Sequence, residues 1–163
     1  MRLPADVAGE ICVRGPAVMA GYFGNPDATE KAFAGGWFHT GDIGRLDARG
    51  FLHITGRQSD MYISGGSNVY PREVEEALLT HPAVAEACVV GVPHEKWGET
   101  GVAVLVAAEG AMVDAAEVMA HLDGRLGRYK WPSRIVVWDA LPRSGYGKVP
   151  KNEVKRLRAE RPQ

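Results

Sequence analysis

The sequence predicts an α+β protein: a small antiparallel β region followed by a compact domain with a three-stranded sheet flanked by helices. Three observations carry this expectation. The first third consists of short apolar runs broken by Gly, Pro and Asn, the texture of short strands and tight turns. Beyond it, the patterns run helix, strand, strand, helix, strand, helix. The composition shifts near Arg57–Ser59, which divides the chain into residues 1–58 and 59–163.

Each element has its own signal. Glu10–Arg14 alternates as a strand does. Asn25-Pro26-Asp27 is a turn feeding a short helix over Ala28–Phe33. Ile43–Asp47 and Phe51–Thr55 flank Ala48-Arg49-Gly50 and read as a β-hairpin, with Gly supplying a positive φ. Pro71 suits a first helical position, acids follow it, and Val74, Ala77 and Leu78 share one face. Val84–Val92 is apolar and β-branched, hence a strand. Gly101–Ala108 is almost continuously apolar, hence a strand buried on both faces. Asp114 and Glu117 open a helix as a capping pair, and Ala115, Val118, Met119, Leu122 and Leu126 follow at helical spacing. Ser133–Trp138 is the third strand, and a last helix runs from about Pro150 to Arg158.

Composition narrows the function classes. In 163 residues with 45% hydrophobic content a packed core is expected. A formal net charge of -1 argues against a nucleic-acid or anionic-membrane partner, which would select a basic face. Cys12 and Cys88 lie in apolar runs with no Cys or His at metal-ligand spacing, so both are expected to be small buried hydrophobes and no metal site is assigned. No charged-then-apolar leader is visible and no apolar run is long enough to span a bilayer, which makes the cytoplasm the default location.

Three motifs go further than composition. Trp37-Phe38-His39-Thr40-Gly41-Asp42 holds a carboxylate at a turn, where two oxygens can accept from a diol. Gly56-Arg57-Gln58-Ser59-Asp60-Met61-Tyr62-Ile63-Ser64-Gly65-Gly66 runs on to Pro71-Arg72-Glu73-Val74-Glu75. Leu141-Pro142-Arg143-Ser144-Gly145-Tyr146-Gly147-Lys148 is the third. Singly, these are a turn Asp, a surface cation, a tight turn and a solvated lysine. Together and in this order they resemble the adenylate-forming superfamily: acyl-CoA and aryl-CoA synthetases, luciferases and peptide-synthetase adenylation domains. Gly9–Gly15, Gly21-Tyr22, Gly91–Glu99 and Tyr129-Lys130-Trp131-Pro132 extend the resemblance over nearly the whole chain.

The resemblance implies the C-terminal portion of an acyl-CoA synthetase. Residues 1–58 would end the large N-terminal domain, and 59–163 would form the mobile C-terminal one. It implies that Asp42 binds the AMP ribose and Arg57 the same nucleotide. Lys148 is implied as the adenylation lysine between the attacking carboxylate and the α-phosphate. Ser59 stands at the hinge, where the family usually carries Asp or Lys. Ser64, Gly65, Gly66, Trp97 and Lys130 are implied near CoA. ATP/AMP and CoA are the expected cofactors, with Mg²⁺ expected only in the full-length enzyme. A carboxylic acid is the expected substrate, and a missing N-terminal domain or self-association the expected partner. The family's Ser/Thr/Gly-rich phosphate loop has no counterpart in these 163 residues, so no adenylation by the chain alone is expected. Two other readings stay open here: a non-catalytic nucleotide- or CoA-binding docking module, and a fragment of a peptide-synthetase adenylation domain.

Overall fold

Short apolar runs that cannot bury themselves singly must pair, and they do so in two separate sheets. A computed structural model describes residues 3–160. The chain resolves into two compact units, which divide between Ser59 and Asp60.

In the first unit, β1 (Gly9–Val13), β2 (Phe38–Leu46) and β3 (Leu52–Arg57) form an antiparallel sheet in the order β1-β2-β3. Helix α1 (Pro26–Ala32) lies between β1 and β2 in sequence. It starts two residues earlier than periodicity suggests, because the Asn25 side chain caps it by accepting the Ala28 N–H at 3.1 Å. Strand β2 starts earlier than the expected Ile43, since Phe38 and His39 already pair with Val13 and Cys12. The hairpin forms as expected. Asp47 Oδ1 accepts the N–H groups of Arg49 and Phe51, both at 2.9 Å, and Gly50 takes φ +85°. The His53 ring at 3.1 Å, then the Phe51 N–H, holds the Asp47 carboxyl well down, at about 2. That pairing is intact above the ordinary carboxylate range and is lost as pH falls through about 2.

The second unit holds a five-stranded sheet. The three expected strands are β6 (Val84–His94), β7 (Gly98–Ala107) and β8 (Arg134–Val137), with β6 antiparallel and β8 parallel to β7. The correction to the three-stranded expectation is a small hairpin, β4 (Tyr62–Ser64) and β5 (Ser67–Val69), which joins β7 through the Ser64–Gly98 pair. Strands this short carry no periodicity to read.

Helices cover both faces. On one side α2 (Pro71–Leu78) and α3 (Ala115–His121) bury Val74, Leu78 and Val118 against Val89, Ala103 and Leu105. On the other, Val154 of α4 (Lys151–Glu160) packs with Cys88, Val90, Val102 and Val104. The alternation of β7 between the two clusters explains its continuous apolar run. Asp114 caps α3 by accepting from Ala116 and Glu117 N–H at 2.7 and 3.2 Å.

Tyr62 fills a slot made by glycine. Gly91 and Gly101 are register partners on β6 and β7. A Cβ on Gly91 would stand 2.4 Å from Tyr62 Cβ, and one on Gly101 2.3 Å from its Oη. The ring is 2% exposed, and among the described residues Oη has no hydrogen-bond partner. Burial, then the nearby Glu75 and Glu99, pushes the phenol pKa well above its usual value. A buried, unpaired hydroxyl costs about 1–3 kcal/mol. Tyr62→Phe is therefore expected to stabilise the protein by about 1 kcal/mol, read as a higher urea midpoint with unchanged slope.

Candidate functional site

Asp42 and Arg57 are opposite each other in the β2–β3 ladder. Arg57 Nε donates to Asp42 Oδ1 at 2.9 Å, and both side chains keep solvent contact. Asp42 stands not on a turn, as the motif suggests, but within β2, where the register to β1 shifts between Glu10 and Cys12. Thr40 Oγ1 donates to Ile11 O at 2.8 Å and accepts the Asp42 N–H at 3.1 Å. Gly41 takes φ +72°, and its N–H donates to Glu10 Oε1 at 3.2 Å. The result is a fixed carboxylate beside a guanidinium, suited to a ribose diol and a nearby anion.

Ser64, Gly65, Gly66 and Trp97 also come together. Ser64 pairs with Ser67 across the two-residue turn Gly65-Gly66, whose φ angles are +56° and +82°. Positive φ at both positions is the primed turn that a tight hairpin needs. Gly65 N–H donates to Trp97 O at 3.0 Å. A Cβ on Gly65 would sit 3.1 Å from the Trp97 ring. The indole is 47% exposed, so Trp97 is no core aromatic, and Lys96 Nζ lies 4.7 Å from its centroid. This edge is flat backbone beside an open aromatic face.

Lys130 is differently engaged: its ammonium pairs with Glu73 in the first turn of α2 and lies 5.5 Å from the Tyr129 ring centroid. Burial is the largest single influence and pulls its pKa down, but the Glu73 hydrogen bond and charge, with Tyr129, together outweigh it and leave the pKa raised. Ser59 lies in the short 3₁₀ turn Gln58–Asp60, where the two units divide.

Lys148 stands on the loop before α4. It is exposed, and its ammonium has no partner among the described residues. The loop itself is tied down. Ser144 N–H donates to Lys148 O and Gly147 N–H to Ser144 O, both at 2.8 Å. Arg143 donates to Gly147 O at 3.1 Å and pairs with Glu86 of β6. An unpaired ammonium on a braced loop is available to a transferring phosphoryl group.

Two sets of residues escape a reading by motif. One is Glu75, Lys151 and Val89, where the two side chains form an ion pair and both bond the Val89 backbone. The other corrects the expectation about Cys12. It is only partly buried, and its Sγ lies 3.6 Å from His39 Nδ1. His39 Nδ1 is also 2.7 Å from Glu10 Oε2, and its Nε2 is 3.1 Å from Ala34 O; these two bonds, Glu10's the larger, raise its pKa. Cys88 is buried as expected, and burial pushes its thiol up to about 11.

Known proteins are similar to this chain in sequence and in fold. The AMP-binding enzyme C-terminal domain matches residues 73–148. Feruloyl-CoA synthase of Amycolatopsis sp is 47% identical over 154 residues, covering 94% of this chain and 31% of that protein. 2-Succinylbenzoate–CoA ligase of Geobacillus kaustophilus is 51% identical over 150 residues, covering 92% of this chain and 31% of that protein. The structure of o-succinylbenzoate CoA synthetase from Bacillus subtilis with its acyl-adenylate intermediate superposes with a TM-score of 0.88 at 46% identity, over 94% of this chain and 31% of the other. ATP-bound MatB from Rhodopseudomonas palustris gives 0.88 at 43% identity, over 96% and 31%.

The fold is thus that of the C-terminal part of adenylate-forming enzymes. Residues 73–148 belong to the AMP-binding enzyme C-terminal domain family, and over most of its length the chain is similar to the C-terminal portion of acyl-CoA ligases of the adenylate-forming superfamily. It spans 31% of the length of the curated relatives just named. No described helix is long and apolar enough to cross a membrane.

Proposed function

We propose that this chain serves as the C-terminal part of an ATP-dependent acyl-CoA synthetase, which joins a carboxylic acid to CoA through an acyl-adenylate. The observation that carries the reading is Lys148: an exposed ammonium without a partner among the described residues, on a loop braced to β6. Attack of a carboxylate on the α-phosphate brings two anions together, and a preorganised cation offsets the charge on the phosphoryl oxygens. Asp42 takes the ribose hydroxyls, and Arg57 both steadies Asp42 and faces the nucleotide. Ser59 is the hinge, where a small residue absorbs backbone rotation. Residues 1–58 end the large domain and 59–163 make the moving one.

The Gly65-Gly66 turn, with Ser64 and the open Trp97 face, suits the thin pantetheine arm of CoA, because backbone without side chains leaves room for a thiol to pass. For Lys130 the ion pair with Glu73 supports bracing the start of α2, and contact with CoA would require releasing it. No residue here is assigned to Mg²⁺. Phe23, Phe51, Leu52 and Ile54 of the first unit are exposed apolar groups, which supports a covering N-terminal domain. A cytoplasmic location, where ATP and CoA are at hand, fits this reaction.

The test joins this chain to the N-terminal part of the Geobacillus 2-succinylbenzoate–CoA ligase and measures ATP–pyrophosphate exchange with a panel of carboxylic acids. Exchange by the fusion and none by the chain alone is expected; a fusion that folds, binds ATP and never exchanges sinks the proposal. In the active fusion Asp42→Ala is expected to raise the KM for ATP by roughly 10–100-fold, the worth of one or two hydrogen bonds to a charged group.

A further inference from the structure

Three donors of different chemistry converge on the paired strands β1 and β2. Cys12 is registered opposite His39, and Glu10 lies two residues before Cys12. His39 Nδ1 stands 3.6 Å from Cys12 Sγ and 2.7 Å from Glu10 Oε2. The thiol, carboxylate and imidazole ligand atoms all lie within 4.8 Å of one another. The other ring nitrogen, Nε2, donates to Ala34 O at 3.1 Å. That bond commits the proton of a neutral ring to Nε2 and turns the Nδ1 lone pair toward Glu10 and Cys12. A bare nitrogen and a carboxylate oxygen 2.7 Å apart need a cation between them, either a proton or a metal ion.

We propose that Glu10, Cys12 and His39 form a binding site for a soft divalent cation of the zinc class. The donor set of imidazole, thiolate and carboxylate is the one zinc takes, with three protein ligands and a fourth position open. Ligands around a tetrahedral zinc stand roughly 3–4 Å apart. Nδ1 and Sγ already meet that spacing, and the carboxylate reaches it by a small swing away from the ring. The Ala34 carbonyl supplies the second-shell acceptor that orients a metal-bound histidine. Glu10 can serve through Oε2 while Oε1 keeps the Gly41 N–H. All three residues keep solvent contact, so an ion has a path in. The thiol proton is released on binding, and no redox step is involved. The proposal does not rest on the roles assigned to Lys148 and Asp42, although Glu10 also accepts the N–H of Gly41 beside Asp42.

The experiment uses the full chain, freed of metal and kept reduced. Cobalt(II) is titrated in, and the thiolate-to-cobalt charge-transfer absorption is followed. Saturation at one ion per chain is expected, with zinc displacing the cobalt and shielding Cys12 from iodoacetamide. Cys12→Ser should abolish the band, His39→Ala and Glu10→Gln should weaken binding by about tenfold or more, and Cys88→Ser should leave it unchanged. Cys12→Ser is nearly isosteric, and far-UV circular dichroism checks that it folds. Absence of the band in the folded parent chain overturns the proposal, as does a band that survives Cys12→Ser.

Discussion

Lys148→Ala in the fused ligase is expected to lower acyl-adenylate formation by roughly a hundred- to a thousandfold, the loss typical of removing one preorganised electrostatic contact. Among the described residues the ammonium has no carboxylate to leave before it reaches a phosphoryl oxygen. The backbone that carries it is held from two sides, by Arg143 on Gly147 O and by the Ser144–Lys148 bond. Removing the side chain beyond Cβ leaves those bonds intact, so the loss falls on chemistry rather than folding. Synthetic acyl-adenylate plus CoA bypasses the first half-reaction, and thioester formation from it should stay within a fewfold of the parent. If both half-reactions fall together, the substitution has damaged the fold. If neither falls, Lys148 is not the adenylation lysine.

What sequence could reveal depended on the range of each interaction. Helices α2 and α3 and strands β6 and β7 were legible because their apolar spacing is local: Val74 and Leu78, or the run through Val102–Leu105, need no knowledge of partners. The β4–β5 hairpin was not, since its strands have three residues each and their signal is a Gly-Gly turn. Asp42 and Arg57 were each visible in a motif, but their pairing depends on ladder register across a bulge. Cys12 had no histidine near it in sequence, yet strand pairing puts His39 opposite it. Lys151 falls in none of the motifs. Its partner Glu75 lies 76 residues away.

That last pair carries the second large prediction. Strand β6 is an edge of its sheet, so its outward backbone groups lack a neighbouring strand. At Val89 they are satisfied by side chains. The N–H donates to Glu75 Oε1 at 2.7 Å, and the C=O accepts from Lys151 Nζ at 3.0 Å. The two side chains are only 17% and 20% exposed and bond each other. Glu75→Ala would orphan the Val89 N–H and leave a largely buried ammonium without its anion. Breaking such a pair from one side costs about 3 kcal/mol or more. For a unit of this size that is a fall in Tm of roughly 12 °C or more. Glu75→Gln keeps an acceptor for Val89 and should lose less. Lys151→Met on the Glu75→Ala background should recover part of the loss, because it removes the stranded charge, though both the N–H and the C=O of Val89 are then left without their side-chain partners. Glu76→Ala is the control: its partner Arg72 is an exposed neighbour one turn away, worth about 0.5 kcal/mol or less. If Glu75→Ala melts no lower than Glu76→Ala, side-chain protection of the β6 edge is not what holds α2 and α4 to this sheet.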